Sequence, residues 1–256
     1  MASLACVDDF RLATVYKNAG CASATGEPVP TDVRQPDAAL SFGLAFVGGY
    51  ADAASFVLAK AFTGAVTGNF VLGAIAVAAH NWRAMLGPLS AILTFLVGFL
   101  LATIIARPPQ VRPSWPLLPT VMGMEVILIV AASLALASDV AHGVAIFVIF
   151  VSLSLGLQNG AFRRVGGSTV HTTYITGIIV RIISAEAEKY ISDAAPAPSK
   201  APEPKIGLLS GVWLFFVLGA GTGAAMVLHF KALGMLGDAL VLVLLILQNS
   251  MASRTK

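Results

Sequence analysis

From Leu40 onward the chain is a succession of apolar runs, at 40–59, 62–79, 87–106, 117–137, 142–161, 170–187, 208–228 and 232–248. A helix needs about 20 residues to cross the hydrocarbon of a bilayer, with a range near 17–25. The runs at 87–106, 117–137, 142–161 and 208–228 meet that length outright. Those at 62–79, 170–187 and 232–248 are short or interrupted by polar side chains, and read as short spans, half-helices or re-entrant pieces. The expected fold is an all-α, polytopic transmembrane helical bundle of six to eight spans, with eight the leading count.

Charge supports this. Only 11% of residues are charged, against about 25% in a soluble domain, too few to coat a globule of this size. Hydrophobic residues make up 57%, and the mean hydropathy of +0.85 fits residues 40–250 as one transmembrane domain. The net charge of +3 is spread between the apolar runs, so no basic patch argues for nucleic acid. Cys6 and Cys21 match neither a metal spacing nor a disulfide framework. Residues 1–39 are polar, carry Pro28, Pro30 and Pro36, and read as a largely disordered tail without an apolar core long enough for a secretory signal.

The connectors are informative. "RPPQVRPSWP", Arg107 to Pro116, is a turn no helix continues through. The Pro/Ala-rich stretch 192–205 reads as an extended linker. With eight spans, the tail, Arg83, the 188–207 linker, Arg254 and Lys256 share a side. This gives a weak positive-inside bias for both termini in the cytoplasm of a bacterial inner membrane.

The two halves, 40–137 and 142–250, echo each other. "GYADA" (Gly49 to Ala53) resembles "GLQNG" (Gly156 to Gly160), and "TGAVTG" (Thr63 to Gly68) resembles "TTYITG" (Thr172 to Gly177). "FLVG" (Phe95 to Gly98) resembles "FVLG" (Phe216 to Gly219), and Glu125 and Asp238 each place one acid in the following run. Four matches in one order read as an internal repeat. Four crossings per half would make it parallel, and one non-crossing segment per half would make it inverted. Transporters carry such repeats, with substrate sites near the midplane where a segment is broken. Duplication kept only for packing is the alternative.

Four polar islands carry a family resemblance: "GGYADAASF" (Gly48 to Phe56), "VTGNFVLG" (Val66 to Gly73), "GLQNGAFRRVGG" (Gly156 to Gly167) and "TTYITGIIVRI" (Thr172 to Ile182). In this order they resemble the YoaK-like family, known as domain of unknown function 1275, over residues 40–250. The resemblance implies a bacterial integral membrane protein of about six spans, each of the length a bilayer requires, and no established activity. Ile178 departs from the pattern, standing where a further threonine is common.

Asp52 is the sharpest candidate residue. It lies well inside the first run, where a charge at the bilayer centre costs about 2.5–3.5 kcal/mol on insertion scales and so faces a cavity or a partner. Gly48, Asp52, Ser55 and Ala59 share one helical face. The functional reading is a proton or cation site, and the structural one an acid bonded to a neighbouring helix. Arg181 either pairs with Asp52 across the repeat or snorkels to the interface. Glu125 and Asp238 fall near the ends of their runs, where an interfacial position is expected. Arg163 and Arg164 read as topology anchors. Gly64/Gly68, Gly156/Gly160 and Gly219/Gly223 have the spacing that lets helices approach closely. "GAGTG", Gly219 to Gly223, has no strand before it and is not a nucleotide loop.

The leading functional expectation is a small-solute transporter or permease, proton-coupled if Asp52 changes protonation. Its polar lining would be Asp52, Thr63, Thr67, Asn69, Gln158, Asn159, Thr172, Thr176 and Arg181. The alternative is a non-transporting scaffold, sensor or partner subunit, in which these side chains glue helices together. His80, His142, His171 and His229 lie far apart and no nucleophile has a base partner, so no enzyme, metal or cofactor is expected. The expected partners are the lipid bilayer, an unidentified small polar solute or ion, and a second copy of the chain.

Overall fold

Every backbone N–H and C=O in hydrocarbon must be paired within the protein, and a helix does this inside one segment. In the computed structural model, which describes residues 38–105, 117–138, 140–162, 164–165, 168–169, 176–180, 182–184 and 206–254, the apolar runs are helices. Helix α1 spans Ala38–Ala59, α2 Val66–Ala78, α3 Trp82–Ile105, α4 Leu117–Ala137 and α5 Gly143–Ala161. A small hairpin pairs β1, Arg164–Val165, antiparallel with β2, Ser168–Thr169. Residues 176–180 and 182–184 are helical. Helix α6, Ile206–Phe230, leads through a 3-10 turn, Lys231–Met235, into α7, Leu236–Arg254.

Among the described residues, α1, α3, α4, α5 and the helical stretch Ile206–Met251 are long and apolar enough to cross a membrane. The protein is thus a helical membrane protein. The expected span at 62–79 is different. Residues 60–65 are not helical, and Val66–Ala78 has 13 residues. At 1.5 Å per residue that is about 20 Å of helix, against about 30 Å of hydrocarbon. A count of eight full spans therefore fails at α2. The cause is local: Lys60 has a left-handed φ of 55°, which ends α1, and the following N–H groups turn to side-chain acceptors. Lys231 does the same with a φ of 52°, dividing the last helical stretch into helices of 25 and 19 residues.

Two helix couples form the body of the bundle. Helix α1 lies along α6, and α3 lies along α5. Glycine makes both approaches close enough for backbone to touch backbone. A methyl group added at Gly49 would overlap the carbonyl oxygen of Phe216, and one at Gly156 would overlap that of Phe95. Helix α4 packs on α5 and α7, and α7 also packs on α1. Tyr50, Phe147, Leu44, Met122, Ile129 and Leu155 fill the interior. Leu93, Leu96, Val97 and Leu100 of α3 stay exposed, as suits a face against lipid.

Candidate functional site

The break after α1 leaves backbone donors without helical acceptors, and Asp52 supplies one. Its Oδ1 accepts from the N–H of Thr63 at 2.9 Å and of Gly64 at 2.6 Å. The Thr63 hydroxyl lies 3.5 Å from the same oxygen and 3.3 Å from Ser55 Oγ. Asn69, in the first turn of α2, closes the other side. Its Nδ2 donates to the Phe62 carbonyl at 2.6 Å, and its Oδ1 accepts from the Phe62 N–H at 2.9 Å. Asp52 and Asn69, both buried, thus clasp residues 62–64 from two sides. Each faces the chain's own break, not a neighbouring span. Thr67 is exposed and takes no part.

The corresponding residues of the other half also reach backbone. Gln158 Nε2 donates to the Leu44 carbonyl at 2.9 Å, tying α5 to α1. Asn159 Nδ2 donates to the Leu155 carbonyl at 2.8 Å, within its own helix. Thr176 is exposed. Thr172 and Arg181 lie outside the described residues, and with them the pairing of Arg181 with Asp52.

The acids expected at the membrane interface are buried among helices. Glu125 on α4 and Asp238 on α7 each have 0% exposure. None of their four carboxyl oxygens has a hydrogen-bond partner. Their helices pack together, and Asp238 is near enough to act electrostatically on both Glu125 and Tyr50. Tyr50, near the middle of α1, donates its hydroxyl to the Gly234 carbonyl at 2.5 Å and lies against Gly237. Two features bury these acids inside the bundle. Helix α4 starts at Leu117, which puts Glu125 two turns inside. The 3-10 turn folds Gly234 back onto Met226 and Val227 of α6, carrying the start of α7 inward. The signal in the sequence was the shared place of these acids in the order of repeated motifs.

No basic side chain is buried among the described residues: Lys60, His80, Arg83, His142, His229 and Lys231 are all exposed. Nor do three or more His, Cys, Asp or Glu side chains gather there in a group able to hold a metal. A buried carboxyl pair of this kind can take up protons or small cations. The clasp around residues 62–64 has its donors and acceptors already matched.

Comparison with known proteins agrees with this architecture. The family model described as a protein of unknown function, DUF1275, matches residues 40–248. The UPF0700 transmembrane protein YoaK of Bacillus subtilis (strain 168) is 28% identical over 128 residues, covering 49% of this chain and 56% of that protein. The chain therefore spans little more than half the length of that relative. No solved structure matches.

Proposed function

The chain belongs to the DUF1275 family, and on that premise we propose that it is a small-solute transporter of the bacterial inner membrane, built from two inverted repeats. The observation that carries this reading is a reciprocal set of contacts. Gly49 of α1 meets Phe216 and Ala220 of α6, while Gly156 of α5 meets Phe95 and Phe99 of α3. In return, Gly219 of α6 meets Phe46, and Gly98 of α3 meets Leu153. Residues 49 and 156 are 107 apart, as are 46 and 153; residues 95 and 216 are 121 apart, as are 98 and 219. The same contact is thus made twice by equivalent positions.

In this reading each half runs long helix, short helix, long helix, long helix. The short member is α2 in the first half, and helical residues 176–180 and 182–184 hold the corresponding place in the second. If α6 and α7 cross separately, each half has three crossings. An odd number turns the second half over, and the bundle has six spans. Inverted repeats with one broken segment each are a common build of secondary transporters, whose sites lie at the repeat interface. Substrate contacts then belong around Tyr50, Glu125 and Asp238, and the Asp52–Asn69 clasp holds the half-helix α2 in place. The partners are the bilayer and a small polar solute or ion, and the reading includes neither an enzymatic step nor a cofactor.

One observation favours the rival, a non-transporting scaffold, sensor or partner subunit: Asp52 and Asn69 satisfy backbone of their own segment. The two readings separate experimentally. Purified protein is screened for thermal stabilisation against amino acids, sugars, organic acids and inorganic ions. Each stabilising compound is then tested for counterflow in proteoliposomes. Transport predicts at least one compound that both stabilises and exchanges. Stable, monodisperse protein that exchanges none of them supports the rival.

A further inference from the structure

Two acids, one on the last helix of each half and on two helices that pack together, are an unusual thing to bury in a membrane bundle. Taking even one ion out of water costs several kcal/mol unless a counter-charge or hydrogen bonds replace the lost hydration. Among the described residues neither is on hand. All four oxygens lack a hydrogen-bond partner, and the exposure of both residues is 0%. The groups on the elements packed against them can be named. Tyr50 on α1 is already committed to the Gly234 carbonyl, and Asp52 on the same helix is turned to Thr63 and Gly64. His142 before α5, His229 on α6 and Lys231 in the 3-10 turn are exposed.

We propose that Glu125 and Asp238 form the proton-binding centre of this protein. A carboxylate oxygen of the pair takes one proton from water admitted to the site and returns it to water. No electron moves and no other bond changes. As the coupling ion of transport, the proton rests on the reading of the protein as a transporter; as an occupant of the pair, it does not.

The test uses the full chain reconstituted in lipid. Infrared spectra are recorded across a pH series in H2O and D2O, looking for the stretching band of a protonated carboxyl group. The expected result is a deuterium-sensitive band that fades as pH rises and is lost or moved in both Glu125→Gln and Asp238→Asn. Should either variant misfold, the wild-type protein is treated with a hydrophobic carbodiimide, which labels protonated carboxyl groups, and the label is mapped by peptide mass spectrometry. Label on Glu125 or Asp238 that declines with rising pH supports the centre. Absence of both band and label at every pH overturns it, as does thermal stabilisation by sodium or potassium over choline with no protonated band. A band without solute exchange keeps the proton centre and removes the transport reading, and exchange without the band does the reverse.

Discussion

Replacing Asp52 tests whether it is a clasp or a substrate ligand. Its Oδ1 receives two backbone N–H groups at 2.9 and 2.6 Å, both from a buried part of the break. Hydrogen bonds to a charged acceptor contribute about 1.5–3 kcal/mol each, and neutral ones about 0.5–1.5. Asp52→Asn keeps an oxygen in place, so it should lose only the difference, about 2 kcal/mol over the two bonds. Asp52→Ala removes the oxygen and leaves two buried donors unpaired, at about 1–3 kcal/mol each, or about 2–6 in all. The long contacts of the Thr63 hydroxyl, at 3.5 and 3.3 Å, add little. Unfolding in mixed micelles should therefore rank wild type above Asp52→Asn above Asp52→Ala. A cysteine placed at Ala65 should label faster in the same order, as the break loosens. The clasp argument is refuted if Asp52→Asn matches wild type in stability and labelling yet loses all ligand response, because Asp52 would then be serving a ligand.

Asn69→Asp keeps the acceptor for the Phe62 N–H but sets an oxygen against the Phe62 carbonyl in place of a 2.6 Å hydrogen bond; it should cost about 1–3 kcal/mol, read from the same unfolding curves. Gly49→Ala and Gly156→Ala should each destabilise by about 1–3 kcal/mol or more, because the added methyl meets a backbone carbonyl and the helices must part. Gly73→Ala, where the added methyl meets open space, should instead stabilise α2 by up to about 1 kcal/mol, measured as a rise in Tm. Lys231→Gly removes the steric penalty of a φ of 52° on an exposed side chain and should stabilise by about 1 kcal/mol. A drop in Tm would mean the lysine side chain contributes more than its backbone costs.

The long helices were legible because span length and connectors set them. The run at 117–137 matches α4 residue for residue, and that at 142–161 differs from α5 by one position. The break at 60–65 was visible only as a polar island. Hydropathy cannot show that Lys60 turns left-handed, or that the N–H groups of Thr63 and Gly64 find their acceptor eleven and twelve residues back. Thr63, Thr67 and Asn69 therefore read as lining, although Asp52 and Asn69 instead bond the backbone of residues 62–64 in place of lost helical bonds. The burial of Glu125 and Asp238 was hidden for a different reason. Position along an apolar run does not show which helix faces meet, and the packing of α4 on α7 that encloses both acids joins segments far apart in the sequence.

The glycine approaches set what can move. They fasten α1 to α6 and α3 to α5, so each tight couple contains one helix from either half of the sequence. Helix α7 joins the first couple through α1, and α4 joins the second through α5. The natural units are therefore these mixed couples, not the two halves of the chain. Besides the contact of α2 with α3, two seams run between them among the described residues. One is crossed by the bond from Gln158 to the Leu44 carbonyl, and the other, between α4 and α7, holds Glu125 and Asp238. Any shear of one couple past the other changes the surroundings of those two acids and is also felt at the Asp52–Asn69 clasp, because the clasp ties α1 to the chain entering α2, which packs on α3.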